Sequence, residues 1–173
     1  MRKLLFLSFM VLAVGFAYVG NSISGDANEH AAKLWSSIQD AKYQENWALW
    51  PGKGKLYKGT HPHGALLTTY INETAANALK DGAKEMPNGS IIIKENYMPD
   101  EKLGAITVME KTGEGKDDYF WVKYMPDGSI AKKEVEMDGE KKSITLAGSP
   151  KGCIGCHAAS TSGIYDIMTE VKQ

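Results

Sequence analysis

Two cysteines are all that this 173-residue chain contains. So few exclude the multi-disulfide framework that staples many small secreted domains. They also leave a thiolate zinc site short of ligands. No block or stripe of Lys and Arg occurs, which makes nucleic acid a poor partner. Internal repeats and low-complexity tracts are absent as well. The longest apolar run, Leu4 to Val19, is broken only by Ser8 and Gly15. It falls below the ~20 residues that span a bilayer comfortably as a helix.

That run is more informative as a leader. Arg2 and Lys3 precede it and Gly20-Asn21-Ser22 follow it: a basic start, an apolar middle and a small-residue exit. Residues 1–22 are therefore expected to be a secretory signal peptide, with cleavage after Ala17, Gly20 or Ser22. An uncleaved anchor is the weaker reading. No cysteine lies near the exit, which argues against a lipoprotein. The expected location is the periplasm or the exterior. Losing Arg2 and Lys3 leaves 18 basic residues against 21 acidic, a net charge of −3. Residues 23–173 are enough for a single domain with a sizeable core and too few for two ordinary ones.

Both cysteines fall in Cys153-Ile154-Gly155-Cys156-His157, a C-x-x-C-H run. This is the attachment pattern of a c-type haem. Two thiols three residues apart can each add across one vinyl group of a single haem. The adjacent His157 is then held under the ring, where its imidazole can bind the iron. Gly155 lets the backbone lie close to the macrocycle. The competing readings are a zinc half-site, a thioredoxin-like pair and a plain disulfide. Zinc needs further ligands, for which His61 and His63 are available. A thioredoxin motif belongs in a βαβ unit, which this region does not resemble. Haem c, one per chain through Cys153 and Cys156, is the expected cofactor, and export agrees with it.

Periodicity predicts a first helix over Ser24 to Tyr43, with Ala31, Leu34, Trp35, Ile38 and Ala41 on one apolar face and His30 facing solvent. Asn46 to Gly64 reads as a loop, with Trp47 and Trp50 as anchors. His61 and His63 flank Pro62 and can reach an open haem face or its propionates. Strands are expected over Ala65–Asn72, Ser90–Tyr97, Leu103–Lys111, Asp118–Met125 and Ser129–Met137, with a last short one over Ile144–Ala147. A short helix is expected over Glu73–Lys80, and a closing helix over Ser160–Lys172. Apolar residues on both faces of Asp118–Met125 suggest a central strand covered on both sides. Helix, antiparallel strands and helix together make an α+β domain.

A haem motif behind antiparallel strands is unusual for a c-type cytochrome. Tyr70-Ile71-Asn72, the strand Asn88-Gly89-Ser90-Ile91-Ile92-Ile93-Lys94-Glu95, the aromatic strand around Trp121 and Gly152-Cys153-Ile154-Gly155-Cys156-His157-Ala158 together resemble the cytochrome P-460 family and its relatives, the cytochromes c′-beta. The resemblance runs roughly from Gly64 to Val171. It implies a small antiparallel sheet covering the haem, flanking helices, a homodimer, and a five-coordinate iron with His157 as proximal ligand. It makes Lys94 a candidate catalytic residue, because members carry a lysine here that is covalently joined to the haem rim. It implies oxidation of hydroxylamine or nitric oxide, with electrons passed to a soluble electron-transfer protein. His61, His63 and Glu73 are the candidate distal acids or bases. Met98, Met109 and Met125 are possible sixth ligands by residue type, although methionine at strand spacing is more often core. The chain departs from the hydroxylamine-oxidising members in Ala65-Leu66-Leu67-Thr68-Thr69, which has leucine where they carry arginine. The alternative is therefore a non-catalytic, cytochrome c′-beta-like protein that binds nitric oxide or carbon monoxide or transfers electrons.

Overall fold

A computed structural model describes residues 22–115 and 117–157. The expected leader, apart from Ser22, and the closing helix over 160–172 lie outside the described residues. In chain order the elements are α1 (Ser22–Asp40), α2 (Tyr43–Asn46), β1 (Ala48–Leu49), β2 (Tyr57–Lys58), β3 (Leu66–Ile71) and α3 (Glu73–Lys80). There follow β4 (Ile91–Tyr97), β5 (Leu103–Lys111), β6 (Tyr119–Tyr124), β7 (Lys132–Met137), β8 (Glu140–Thr145), β9 (Ala147–Gly148) and α4 (Lys151–His157). Helices stand at both ends of a mainly antiparallel sheet, so the α+β class is observed. Among the described residues no helix is long and apolar enough to cross a membrane.

Seven strands form one sheet in the order β1-β3-β4-β5-β6-β9, with β2 also paired to β3. Strand side chains alternate between faces, so this sheet presents two separate sets of residues. One face packs on α1. Its core joins Ala31, Leu34 and Ile38 of α1 to Tyr70, Ile93, Ile106, Val108, Val122 and Tyr124 of the strands. Spacings of three and four put the three helix residues on one stripe. The Tyr124 hydroxyl donates to the Ala31 carbonyl at 2.7 Å, tying the stripe to β6.

α1 ends earlier than the sequence pattern suggests. It ends at Asp40, Lys42 takes a left-handed φ of 46°, and α2 starts a new turn at Tyr43. That break turns Tyr43 and Gln44 toward Glu95. The Glu95 carboxylate, fully buried, accepts hydrogen bonds from the Tyr43 hydroxyl (2.8 Å), the Gln44 amide (2.5 Å) and the Tyr97 hydroxyl (2.6 Å). His30 is partly exposed, as expected, but not unengaged: its Nε2 lies 2.6 Å from a Glu110 carboxylate oxygen, and its ring sits edge-on to Phe120.

The opposite face carries the second core: Ile71, Ile92, Met109, Tyr119 and Trp121 from the strands, Ala75 and Ala78 from α3, and Trp50 and Met86 from loops. α3 begins where expected because Asn72 caps it, accepting from the Ala75 N–H at 3.0 Å. β6 is covered on both faces, yet it is not central, since its outer neighbour is the two-residue β9. The expected strand over Ile144–Ala147 straddles the end of β8 and the start of β9. β7 and β8 form a separate two-stranded sheet, most of whose side chains are exposed.

Burial, with the Glu95 charge beside them, raises the phenol pKa values of Tyr43, Tyr97 and Tyr70, the last to about 12. In the unfolded chain these phenols ionise near pH ~10. Above that pH the unfolded state has lost protons that the folded state keeps, so stability falls as pH rises. Denaturant unfolding at pH 9 and 11 should show this loss, and Tyr43→Phe should reduce it. At neutral pH Tyr43→Phe should cost about 1.5–3 kcal/mol, the worth of a hydrogen bond to a charged group.

Candidate functional site

α4 is two turns long, too short to be stable by itself. Its start is fixed by the Pro150 carbonyl, which accepts the N–H groups of Cys153 (2.9 Å) and Ile154 (3.2 Å). Docking supplies the rest, since Cys153 and Ile154 pack against the second core. Positions i, i+3 and i+4 share a helix face, so Cys153, Cys156 and His157 lie on one side of α4. Cys153 is half-buried and Cys156 exposed, and the two are not joined in a disulfide. Burial raises the Cys153 pKa, opposed by the nearby positive charge of Lys123.

His157 comes to rest against the sheet. Its ring centroid is 4.6 Å from that of Trp121 on β6 and 6.3 Å from that of His63. Burial, then the neighbouring Lys94 charge, lowers its pKa to about 4. The residue that the family resemblance singles out is thus electrostatically coupled to the histidine of the C-x-x-C-H run, across about sixty residues of sequence.

Register explains the coupling. Thr69, Lys94, Thr107 and Lys123 are cross-strand partners on β3, β4, β5 and β6, and they form one row on a single face of the sheet. The row beside it is apolar: Ile71, Ile92, Met109 and Trp121. The row on the other side holds Leu67, Asn96 and Ala105. Both faces of β4 are buried, at Ile92 and Ile93 alike, and Lys94 is half-buried on the face that receives α4. Lys123 was not among the residues expected here. Strand alternation puts it on the face of Trp121, but only the register shows that it shares a row with Lys94. After Arg2 the chain has no arginine, so lysine and histidine carry all the positive side-chain charge on this surface.

The structure separates the two loop histidines. His61 is exposed and joined to Pro62 by a cis peptide bond. His63 is half-buried, with Nδ1 3.0 Å from the Asn96 Oδ1. Asn96 is itself locked. Its Nδ2 donates to the carbonyl of Lys94 (2.8 Å), with Thr107 Oγ1 also in range at 3.2 Å, and its Oδ1 accepts the Gly64 N–H (3.2 Å). A side-chain oxygen here can only accept, so His63 Nδ1 carries the proton and Nε2 is left with its lone pair. Gly64 permits this seating, because a Cβ there would lie 2.6 Å from the backbone N and O of Tyr97. Burial and the Lys94 charge bring the His63 pKa to about 4, opposed by the bond to Asn96.

The other expected candidates fall elsewhere. Glu73 is exposed at the start of α3. Met98 and Met125 are exposed, and Met109 is part of the second core. Among the described residues no three His, Cys, Asp or Glu side chains are grouped to hold a metal ion, so the zinc reading lacks its further ligands. A haem asks less of the protein: two thiols and an imidazole on one helix face. The His157 Nδ1 is buried without a partner among the described residues, so this imidazole is not engaged as an ordinary core histidine would be. The donor set fits a haem. Neither a protein-family model nor a curated protein sequence matches the chain.

Asn96→Ala should leave the Gly64 N–H and the Lys94 carbonyl short of a partner. We expect a loss of about 1–3 kcal/mol in denaturant unfolding, typical of unsatisfied buried polar groups. Amide exchange at Gly64 should rise with it. Unchanged stability and exchange would contradict the locked arrangement.

Proposed function

We propose that the chain is an exported mono-haem c-type cytochrome of the P-460 type, acting as a homodimer on hydroxylamine or nitric oxide and passing electrons to a soluble electron-transfer protein. Cys153 and Cys156 hold the haem covalently, and His157 is the proximal ligand. One observation carries the reading beyond the motif: α4 lays His157 against the same sheet face that carries Lys94, whose charge reaches the imidazole.

The haem, when bound, supplies the redox chemistry and an iron position for a small molecule. The chain supplies the rest. Packing of Cys153 against the second core sets where the thiols stand. Trp121 bears on His157 and limits how its ring can turn. Lys94 is half-buried on this face and electrostatically close to His157, and its amine nitrogen is the atom that would act as nucleophile toward the haem rim. A covalent bond between the Lys94 Nζ and the haem rim is the P-460 feature that this placement supports.

A second reading has its own observation. Leu67 is buried on the site face, in the row of Asn96 and Ala105, and the chain beyond Arg2 has no arginine to make that surface more polar. An apolar distal side suits a cytochrome c′-beta-like protein that binds nitric oxide or carbon monoxide, or transfers electrons, without turnover.

Peptide mapping of the proteolysed protein separates the two. On the first reading the Lys94 peptide is recovered bonded to the haem-bearing Cys153–Cys156 peptide, and hydroxylamine is consumed when an electron acceptor is present. A free Lys94 peptide with no consumption would leave the second reading. Cys153→Ala or Cys156→Ala should yield little haem-loaded protein. His157→Ala should change the optical spectrum of whatever haem remains.

A further inference from the structure

The P-460 resemblance implies an iron whose sixth position is open. The structure places a second imidazole near the one that would bind the iron. His63 and His157 are held by unrelated parts of the chain, one on the loop before β3 and the other on α4. Their ring centroids nevertheless stand 6.3 Å apart with the ring planes at 86°. That separation is close to two metal–nitrogen bonds of about 2 Å plus the two ring radii.

The His63 ring is also prepared for coordination. Its Nδ1–H is committed to Asn96, whose amide is fixed by the Lys94 carbonyl and the Gly64 N–H. This is the outer-shell arrangement common to metal-binding histidines: one ring nitrogen donates to a fixed acceptor, and the other is left basic and oriented. Asn96 is buried and belongs to the sheet, so the support is rigid. By contrast, exposed His61, two residues earlier, is hydrogen-bonded to nothing among the described residues in this way.

We propose that His63 is the second axial ligand of the haem iron at rest, so that a small molecule must displace its Nε2 to bind. This deepens the haem reading and rests on it. On displacement the bond from Nε2 to iron breaks as the incoming donor atom forms its own, with no change in electron count. The freed Nε2 then keeps its lone pair close to the newcomer, as a base for a protic molecule such as hydroxylamine. The site is thereby gated: apparent affinity is reduced by the fraction of time that His63 is bound.

The test is the spin state of the intact, haem-loaded wild-type protein in its ferric form, read by optical and electron paramagnetic resonance spectroscopy at neutral pH. Near-infrared magnetic circular dichroism identifies the axial pair without any substitution. A low-spin, bis-histidine signature is expected. His63→Ala should convert it to high spin, free imidazole should restore low spin, and carbon monoxide should bind the ferrous variant about tenfold or more tightly than wild type. A high-spin wild-type protein that still carries covalent haem would overturn the role of His63 and leave the haem reading standing. So would a low-spin signal that survives in His63→Ala, or a histidine–methionine or histidine–lysine pair in the wild type. Absence of covalent haem would overturn the haem reading itself.

Discussion

Lys94 and Glu95 are neighbours in sequence and face opposite ways, and the rest of the molecule depends on that parity. The sheet is buried on both faces, so β4 has no solvent side to which a wrong residue could turn. Glu95 enters a pocket where Tyr43, Gln44 and Tyr97 donate to its carboxylate. A slip of one residue would put the Lys94 ammonium among those donors and the Glu95 carboxylate beside His157. The first exchange leaves a buried charge without its hydrogen bonds, which costs several kcal/mol. The Glu95 pocket on the α1 side therefore fixes which residues meet α4 on the other.

With parity set, the second face becomes a graded surface. An apolar row ending in Trp121 supports Cys153, Ile154 and His157; a row with a lysine on β4 and another on β6 lies beside it; beyond stands Asn96, holding His63. Each row is assembled across successive strands, and α4 packs against the apolar one. The Lys94 charge and the Trp121 and His63 rings thus converge on His157, although α4 alone is too short to hold it.

Much of this was legible in the sequence where the signals are local. α3 is bounded by a capping Asn72 and by Asp81-Gly82, and it runs over the expected residues. β5 does too, because its apolar pattern is long and bounded by turns. The β7–β8 hairpin was less legible. Its strands are charged and exposed, so the alternation that marks a strand is weak, although Asp138-Gly139 sits at its turn. The C-x-x-C-H run named its own residues and nothing of its surroundings. That Lys123 shares a row with Lys94 depends on the register of two strand pairings. That His63 rather than His61 belongs to the site depends on Asn96, a contact across 33 residues that no spacing announces.

The central claim is that α4 and the sheet face beneath it form the seat of one covalently bound haem. The most direct measurement is the intact mass of the purified chain after acid–organic extraction, which strips haem that is not covalently attached. The account predicts a chain that keeps the mass of one haem and has no titratable thiol. A chain of bare mass, with both Cys153 and Cys156 reactive or joined to each other, would contradict it.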